Sequence, residues 1–470
     1  MDHPTVVLSV AMSTLLGTRH GASAPEPPSD RRPLRLRGDL IAVAAAALLV
    51  TASALIGWRL TETGTDVLVG WPPLLAEWLP HVGPGTVPAV LVALLVALRG
   101  PAVAQRLSWR PLLVVAFVAS WSWTLALALV DGWFRGVVER LGTVTEYLQE
   151  VPRTPSVSDF LLTFADRIVA FQPTSLVTHA SGHPPAATLV YVLLDHAGFP
   201  GGGYAGMLTL TLGASSVVAV ALTLSALAGP DVARRYLPFG VLFPGAVWVG
   251  VSADGLFAAV FAWGVALLAL GAARRTWPGL VLSLAGGLVL GLSLFFSYGL
   301  AAGGLVPVVA VLITRRVVPL VLAAVGVAVV VGLFARAGFW WLDGYELVKV
   351  RYYQPTEYGL LRPYGYWVWA NFASTALALG PAVVAGMRRV AWRPRAAPLA
   401  VVALVAAAVV AVLAADVSGL SKAETERIWL PFGTWMVAAT ALLPRTSARA
   451  WLLGQAALAL VVNHFLLTTW

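Results

Sequence analysis

Apolar runs close to twenty residues long recur along this chain, and they constrain its fold more than any other feature of the sequence. A helix of that length crosses the roughly 30 Å hydrocarbon core of a bilayer. Of the 470 residues 59% are hydrophobic and only 11% are charged, and the mean hydropathy is +0.82. A soluble globular domain carries a charged fraction of about 25%. The sequence therefore predicts an all-α, polytopic helical membrane protein, with the lipid bilayer as its partner.

The charged and sulfur-containing residues narrow the class further. The chain has no cysteine, which excludes a disulfide framework, a thiolate nucleophile and a cysteine-based metal site. Arginines at cytoplasmic helix ends explain the net charge of +9, so we predict no nucleic-acid partner. Basic residues are almost all arginine, and Ala, Gly and Val are abundant. This usage is typical of a GC-rich genome such as that of an actinobacterium.

The distribution of arginine orients the chain in the membrane. Residues 1–38 are rich in Ser, Pro and Arg, which predicts a disordered cytoplasmic tail before a single transmembrane domain at 39–470. About thirteen spans place every arginine pair on the cytoplasmic side of the plasma membrane and the C-terminus outside. The predicted spans are 39–60, 83–99, 111–131, 203–228, 236–251, 254–272, 277–297, 299–314, 317–337, 365–386, 397–415, 428–443 and a last one that ends near Trp470.

The polar stretches between these spans predict three loops on the outer face, at about 132–183, 338–364 and 416–427. The first contains amphipathic pieces that suit the membrane surface. The segment 184–199 follows it and has an apolar core of only about ten residues before Asp195, which is short for a span. We therefore predict a re-entrant or surface helix at 184–199, and not a crossing.

Two carboxylates at predicted outer helix ends are the candidate catalytic residues. Asp131 ends the third span, and Asp254 follows Ser252 and Ala253 at the mouth of an apolar helix. Charge is costly at the edge of a bilayer, so a carboxylate there is a functional-site hypothesis. Either acid is suited to accept a proton from a hydroxyl group or to hold a divalent cation, Mg²⁺ or Mn²⁺, on a phosphate. The alternative is that each merely caps a helix or forms a salt bridge.

A histidine in an unusual local sequence is the next candidate. His183 lies in the run Ser181-Gly-His-Pro-Pro185, where the two prolines fix the start of the following helix and the direction of the imidazole. We predict that His183 binds substrate, and the alternative is a hydrogen bond from its ring to the loop backbone. His179 precedes it by four residues, but Gly182 between them disfavours the continuous helix that a two-histidine zinc site needs.

Cations on the predicted outer face run against the positive-inside trend. Both lysines of the chain lie there, beside three arginines, and tyrosines near them are suited to stack on sugar rings. Arginine offers phosphate a bidentate pair of donors. The predicted substrate-binding residues besides His183 are Tyr298, Lys349, Arg351, Arg362, Tyr364, Lys422, Glu426 and Arg427. The alternative is that these cations anchor the loops and pair with local carboxylates.

Three polar motifs follow one another on the same predicted face: Asp131, the His183-Pro-Pro run and the Ser252-Ala-Asp254 run. Together they resemble the motifs of the GT-C superfamily of integral-membrane glycosyltransferases. Members carry an acid in the first outer loop, a His-Pro-Pro or Lys-Pro-Pro helix and a Ser/Thr-x-Asp at the outer end of a later span. The motifs cover about 111–300, while 362–371 and 421–431 resemble an actinobacterial branch. The chain departs from the pattern in two additional early spans, a single acid at Asp131 and no large soluble outer domain.

The resemblance implies hexosyl or pentosyl transfer from a polyprenyl-phosphate sugar donor to an extracytoplasmic glycan, lipid or protein. In that scheme Asp131 deprotonates the acceptor hydroxyl, Asp254 orients the donor or a metal ion, and Arg427 contacts the donor phosphate. Arg427→Lys is then expected to weaken donor binding and to leave stability nearly unchanged. Two other classes stay open: a transporter or flippase for a lipid-linked or anionic solute, and a non-catalytic scaffold.

Overall fold

The computed structural model describes residues 31–354 and 361–469. It is 77% helical with almost no strand, which confirms the predicted all-α class. Within the described ranges one antiparallel sheet pairs β1 (Ala76–Trp78) with β2 (Leu466–Thr468), and Glu77 lies opposite Leu467. This short sheet joins the segment after the first helix to the segment after the last one.

The helices are numbered in chain order, and short 3₁₀ and π segments connect several of them. The first ten are α1 (Arg31–Glu62), α2 (Thr86–Arg106), α3 (Trp109–Ala128), α4 (Val157–Thr163), α5 (Thr178–Gly182), α6 (Ala186–His196), α7 (Gly202–Ala228), α8 (Pro230–Val241), α9 (Ala246–Val249) and α10 (Ala253–Ala272). The others are α11 (Trp277–Leu294), α12 (Leu305–Leu312), α13 (Val318–Arg336), α14 (Trp341–Tyr352), α15 (Tyr364–Leu379), α16 (Pro381–Trp392), α17 (Leu399–Val417), α18 (Thr425–Ile428), α19 (Leu430–Met436) and α20 (Ala448–Phe465).

Eight helices in the described part of the chain are long and apolar enough to cross a membrane, and a bent pair raises the number to nine. The eight are Leu36–Glu62, Thr86–Arg106, Trp109–Asp131, Gly202–Ala228, Ala253–Ala272, Trp277–Leu294, Val318–Arg336 and Leu399–Val417. The prediction of a multi-pass membrane protein thus has structural support. The count of thirteen spans is not confirmed. Most of the predicted tail at 1–38 lies outside the described residues, and α1 begins at Arg31.

Four predicted spans differ from straight continuous helices. Residues 236–251, 299–314 and 428–443 each divide into short helical pieces, and 365–386 bends by 111° between α15 and α16. Proline and glycine interrupt these runs, because proline lacks an amide donor and glycine permits left-handed backbone. At the sharpest bend Gly380 has φ +79° and Pro381 begins the next helix.

Contacts at the two ends of α3 show where the first broken segment runs. At the Trp109 end, Arg234 donates to the Leu107 carbonyl oxygen at 2.8 Å. At the Asp131 end, Val251 and Asp131 line one small pocket. The chain from Arg234 to Val251 therefore passes from one end of α3 to the other, although no single helix covers it. We call these the Trp109 end and the Asp131 end of the molecule.

Helix α6 remains at the Asp131 end. Its 11 residues extend about 16 Å, half of a bilayer core. The amide of Ala186, at its start, donates to the Phe295 carbonyl oxygen at 3.0 Å, just after α11. After its last turn, Gly202 approaches the backbone of Val138, close to Asp131 in the chain. The short helix thus agrees with a segment that does not cross.

We predict that Arg275 faces the cytoplasm and Glu346 faces outward. Both side chains are exposed, and the chain contains no native cysteine to confuse labelling. In intact cells Arg275→Cys should resist a membrane-impermeant thiol reagent, and Glu346→Cys should react with it. Labelling at position 275 but not at 346 would reverse the assigned orientation.

Candidate functional site

Asp254 lies at the start of α10, where the local sequence both caps the helix and buries the carboxylate. The Ser252 hydroxyl oxygen accepts a hydrogen bond from the Asp254 backbone amide at 3.1 Å. The same hydroxyl group donates to the Asp254 carboxylate at 3.2 Å. A serine N-cap and an acid in the first turn both stabilise a helix N-terminus. Asp254 is only 3% exposed, so its charge requires a partner.

Arg427 provides that partner from α18. One guanidinium nitrogen donates to Asp254 Oδ2 at 2.5 Å, and the other terminal nitrogen donates to Glu424 Oε2 at 2.5 Å. Arg427 is 5% exposed and Glu424 is 7% exposed. Two carboxylates and one arginine thus form a buried network. Its two acids, Asp254 and Glu424, lie 170 residues apart in the sequence. We call it the Arg427 network.

A second arginine fixes Glu424. Arg362 donates to Glu424 Oε1 at 2.8 Å and to the Lys422 carbonyl oxygen at 2.7 Å. Burial alone would raise the pKa of Glu424, but the charges of Arg427 and Arg362 outweigh it and lower the pKa to about 2. Glu424 is therefore a carboxylate at physiological pH and fixes the position of both arginines.

The loop that carries Arg427 is held in an uncommon backbone conformation. Ala423 and Glu424 have φ of +66° and +60°, a region that non-glycine residues seldom adopt. The side-chain oxygen of Asn371, on α15, accepts a hydrogen bond from the Ala423 amide at 3.2 Å. Its side-chain nitrogen donates to the Asp416 carboxylate and to the Ser421 carbonyl oxygen, at 2.8 Å each. Asn371 therefore positions the loop, a role that its place in the sequence does not indicate.

His179 extends the Arg427 network towards solvent. Its Nε2 lies 3.3 Å from an Arg427 nitrogen, and its Nδ1 lies 2.7 Å from Glu146 Oε1. Since arginine only donates, Nε2 accepts, and Nδ1 carries the ring hydrogen at ion-pair distance from Glu146. The His179 side chain is 16% exposed, against 6% for Arg427. Neither His179 nor Glu146 was predicted as a binding residue.

His183 lies next to this network. Its Nδ1 lies 2.9 Å from both the Tyr147 hydroxyl oxygen and the His179 carbonyl oxygen. Because a carbonyl oxygen only accepts, Nδ1 carries the hydrogen in that contact and Nε2 is left as an acceptor. Burial lowers the pKa of His183, which favours the neutral ring. The contact to the loop backbone, which was the alternative to substrate binding by His183, is thus present.

Asp131 belongs to a different cluster. It pairs with Arg140, with His81 Nε2 at 2.7 Å and with Arg135 at 3.5 Å. Among the described contacts none of these partners is shared with Asp254. The prediction of one cleft with both carboxylates therefore gains no support from these contacts. Arginines four and nine residues further along the chain supply the charge that Asp131 needs.

Among the predicted substrate-binding residues, Lys422 and Tyr364 lie close to the Arg427 network. The Lys422 ammonium lies 5.7 to 6.0 Å from the ring centres of Tyr352, Tyr353 and Tyr364. A cation over aromatic faces at this distance is attracted to them. The Lys422 carbonyl oxygen also accepts a hydrogen bond from Arg362, so Lys422 connects the three tyrosines to the Arg427 network.

Three other predicted residues have contacts outside the Arg427 network. Lys349 pairs with Glu346 at 2.7 Å, and its nearby carboxylate raises its pKa. Arg351 donates to the Ile168 and Leu176 carbonyl oxygens at 2.9 Å each, which is a structural role. Tyr298 is packed near Trp341 and Tyr345 (ring-centre distances 5.3 and 5.9 Å).

Glu426 is buried beside the network, and no salt bridge to it is present among the described residues. It is 1% exposed, and its Oε2 has no hydrogen-bond partner within the described residues. Burial raises its pKa to about 7, with the Glu424 charge adding to the effect, although the backbone amides of Glu426 and Leu75 and the charge of Arg427 oppose it. Glu426 therefore titrates near neutral pH.

This titration gives a prediction for stability. The folded pKa of about 7 lies above the ordinary 4.5, so between these values the folded state binds more protons than the unfolded state. The free energy of unfolding should then fall as pH rises from 5 to 8, by on the order of 3 kcal/mol from this group. Glu426→Gln mimics the neutral acid and should flatten that dependence in denaturant unfolding. The exposed Glu346→Gln control should retain the slope, and equal slopes in all three proteins would contradict the assignment.

A divalent cation does not fit the two predicted acids. Asp131 and Asp254 both form arginine salt bridges, and a neighbouring positive charge opposes a metal ion. Within residues 31–354 and 361–469, no group of three or more His, Asp and Glu side chains is placed to hold a metal. We therefore derive no chemical step through Mg²⁺ or Mn²⁺.

Comparison with known proteins does not assign a family: no protein-family model matches the chain, and no curated protein matches it.

Proposed function

We propose that this protein is a plasma-membrane glycosyltransferase that moves a hexosyl or pentosyl group from a polyprenyl-phosphate donor to an extracytoplasmic glycan, lipid or protein. The observation that carries the proposal is the contact of Arg427 with Asp254 at 2.5 Å, beside His183 and at the end of apolar helices. Three motifs from distant parts of the sequence thereby meet. A lipid-linked substrate keeps its chain among such helices and its phosphate at their polar end.

Arg427 is the proposed ligand of the donor phosphate. Its two terminal nitrogens donate to the carboxylates of Asp254 and Glu424. A phosphate presents oxygens of the same charge and spacing to an arginine. Donor binding then replaces Asp254 in the contact with Arg427, while Glu424 and Arg362 keep the guanidinium in place.

The released Asp254 carboxylate is the proposed general base. The acceptor hydroxyl oxygen attacks the anomeric carbon, and the bond from that carbon to the phosphate oxygen breaks. Polyprenyl phosphate leaves with the electron pair, and the hydroxyl proton goes to Asp254. Arg427 stabilises the charge that develops on the leaving phosphate. We assign no proton transfer to Asp131, because its carboxylate is held in salt bridges with Arg140 and Arg135.

Transfer assays on the purified protein test this proposal. The protein in detergent or nanodiscs is incubated with a panel of polyprenyl-phosphate hexoses and pentoses and a mixture of cell-envelope acceptors. We expect one donor to release polyprenyl phosphate in an acceptor-dependent manner. If no donor reacts but the protein moves labelled lipid-linked sugar between the leaflets of liposomes, the protein is a flippase and the proposal fails.

A further inference from the structure

A second polar site lies at the Trp109 end of the molecule, away from the Arg427 network. A cavity of about 330 Å³ opens there between α2, α8 and the start of α20. Its size is within the range of small-molecule binding sites. Its basic lining comprises Arg234, Arg235, Arg445 and Arg449. Its apolar lining includes Pro101, Ala102, Pro238, Phe239 and Leu443.

Two of the arginines are held rigidly by the backbone. Arg234 donates to the carbonyl oxygens of Ala104 and Leu107, and Arg235 donates to that of Leu443 at 2.6 Å. Each described contact uses one terminal nitrogen of a guanidinium that carries five N–H donors. The remaining donors of both side chains are available at fixed positions on the cavity wall.

The charges of this cavity are only partly compensated. Arg445 pairs with Asp231, but both side chains are more than half exposed, where water screens the pair. Burial lowers the pKa of Arg235, and the nearby charges of Arg445 and Arg389 lower it further, against the opposing effect of Asp231. The arginines therefore repel one another, and an anion in the cavity would relieve the repulsion.

The start of α20 adds to the preference for an anion. Arg445 and Arg449 lie at the N-terminal end of this 18-residue helix. The helix dipole disfavours cations at that position and favours anions. Two arginines held there against the dipole are best satisfied by a negatively charged ligand. The apolar residues of the same cavity and the end of the apolar helix α2 offer a surface for hydrocarbon.

We propose that this cavity binds the phosphate headgroup of an anionic membrane lipid, with the arginines around the phosphate and an acyl chain along α2. Basic pockets between membrane helices are a recurrent form of anionic-lipid site. The shared chemistry is a phosphate group, which either a lipid or a free anion offers. The proposal is independent of sugar transfer, since it uses other residues at the opposite end of the molecule.

Lipid binding by the delipidated, purified protein tests the proposal. The protein in neutral detergent is titrated with phosphatidylglycerol, phosphatidylcholine and inorganic phosphate, and the thermal unfolding midpoint is recorded. Phosphatidylglycerol should raise the midpoint in a saturable manner, because a ligand of the folded state stabilises it. Phosphatidylcholine and inorganic phosphate should have little effect. A rise with inorganic phosphate equal to that with phosphatidylglycerol would overturn the assignment to a lipid.

A matched pair of double variants separates the site from general surface charge. Arg445→Gln with Arg449→Gln should weaken phosphatidylglycerol binding at least about fivefold, since two charge-assisted contacts are lost. Arg393→Gln with Arg395→Gln removes the same charge from exposed positions outside the cavity and should leave binding unchanged. Equal losses in the two double variants, or no loss in the first, would overturn the proposal.

Discussion

Asp254→Asn is expected to lower the rate of sugar transfer by about 100- to 10,000-fold, the contribution of a general base. Asparagine keeps the size of the side chain, and Ser252 can still cap α10, but asparagine cannot accept the hydroxyl proton. Initial rates with the donor identified in the panel measure the effect. Polyprenyl-phosphate binding, measured separately, should remain, since Arg427 and Glu424 are intact.

The control for this prediction is Asp343→Asn. Asp343 is an exposed acid in the first turn of α14, and the same chemical change there should leave the rate unchanged. Thermal unfolding of both variants shows whether a lost rate reflects a lost fold. A folded Asp254→Asn protein that transfers sugar at the parent rate would exclude Asp254 as the base.

Arg427→Ala is expected to destabilise the protein by about 3–5 kcal/mol, because truncation leaves the buried carboxylate of Asp254 without a charged partner and leaves Glu424 with Arg362 alone. It should also abolish detectable donor binding. Arg427→Lys restores one charge but not the two simultaneous contacts, so a smaller loss of both properties is expected. Denaturant unfolding in detergent and a donor-binding titration measure the two effects.

Arg153→Ala provides the comparison. Arg153 pairs with Glu150 at 3.4 Å, but its side chain is 59% exposed. Loss of such a pair costs less than about 1 kcal/mol. From the sequence alone, Arg427→Lys is expected to leave the stability of the protein nearly unchanged. Its burial and double pairing change that expectation. If Arg427→Ala unfolds no more easily than Arg153→Ala, the buried network does not stabilise the protein.

The sequence predicted part of the site because the relevant residues interrupt apolar runs. The Ser252-Ala-Asp254 run and Arg427 stand out as polar residues at helix ends, and both are in the network. His179 and Glu146 lie in a polar loop where any residue could be solvated, so no local signal marked them. The spacing of His179 four residues before His183 is visible in the sequence, but it indicates at most a two-histidine zinc site.

Asp131 and Asp254 pair with different arginines, for a physical reason that sequence order does not contain. The chain turns after α3 into a π-helical segment, Phe134–Glu139, which brings Arg140 back to Asp131. The apolar runs predicted membrane helices correctly in kind. Their number was harder to predict, because runs of uniform hydropathy can bend or divide, as the run around Gly380 does. Hydropathy indicates which segments are suited to lipid, while proline and glycine determine whether such a segment forms one continuous helix.

Photo-crosslinking with a photoreactive polyprenyl phosphate is the most direct measurement of where the donor lipid binds. The purified protein in nanodiscs is irradiated with the probe, digested and analysed by mass spectrometry, with unlabelled polyprenyl phosphate as competitor. We expect competitor-sensitive adducts in residues 176–183, 252–257 or 421–431, around Arg427. Competitor-sensitive adducts confined to other segments, such as α8 and the start of α20, would contradict a donor site at the Arg427 network.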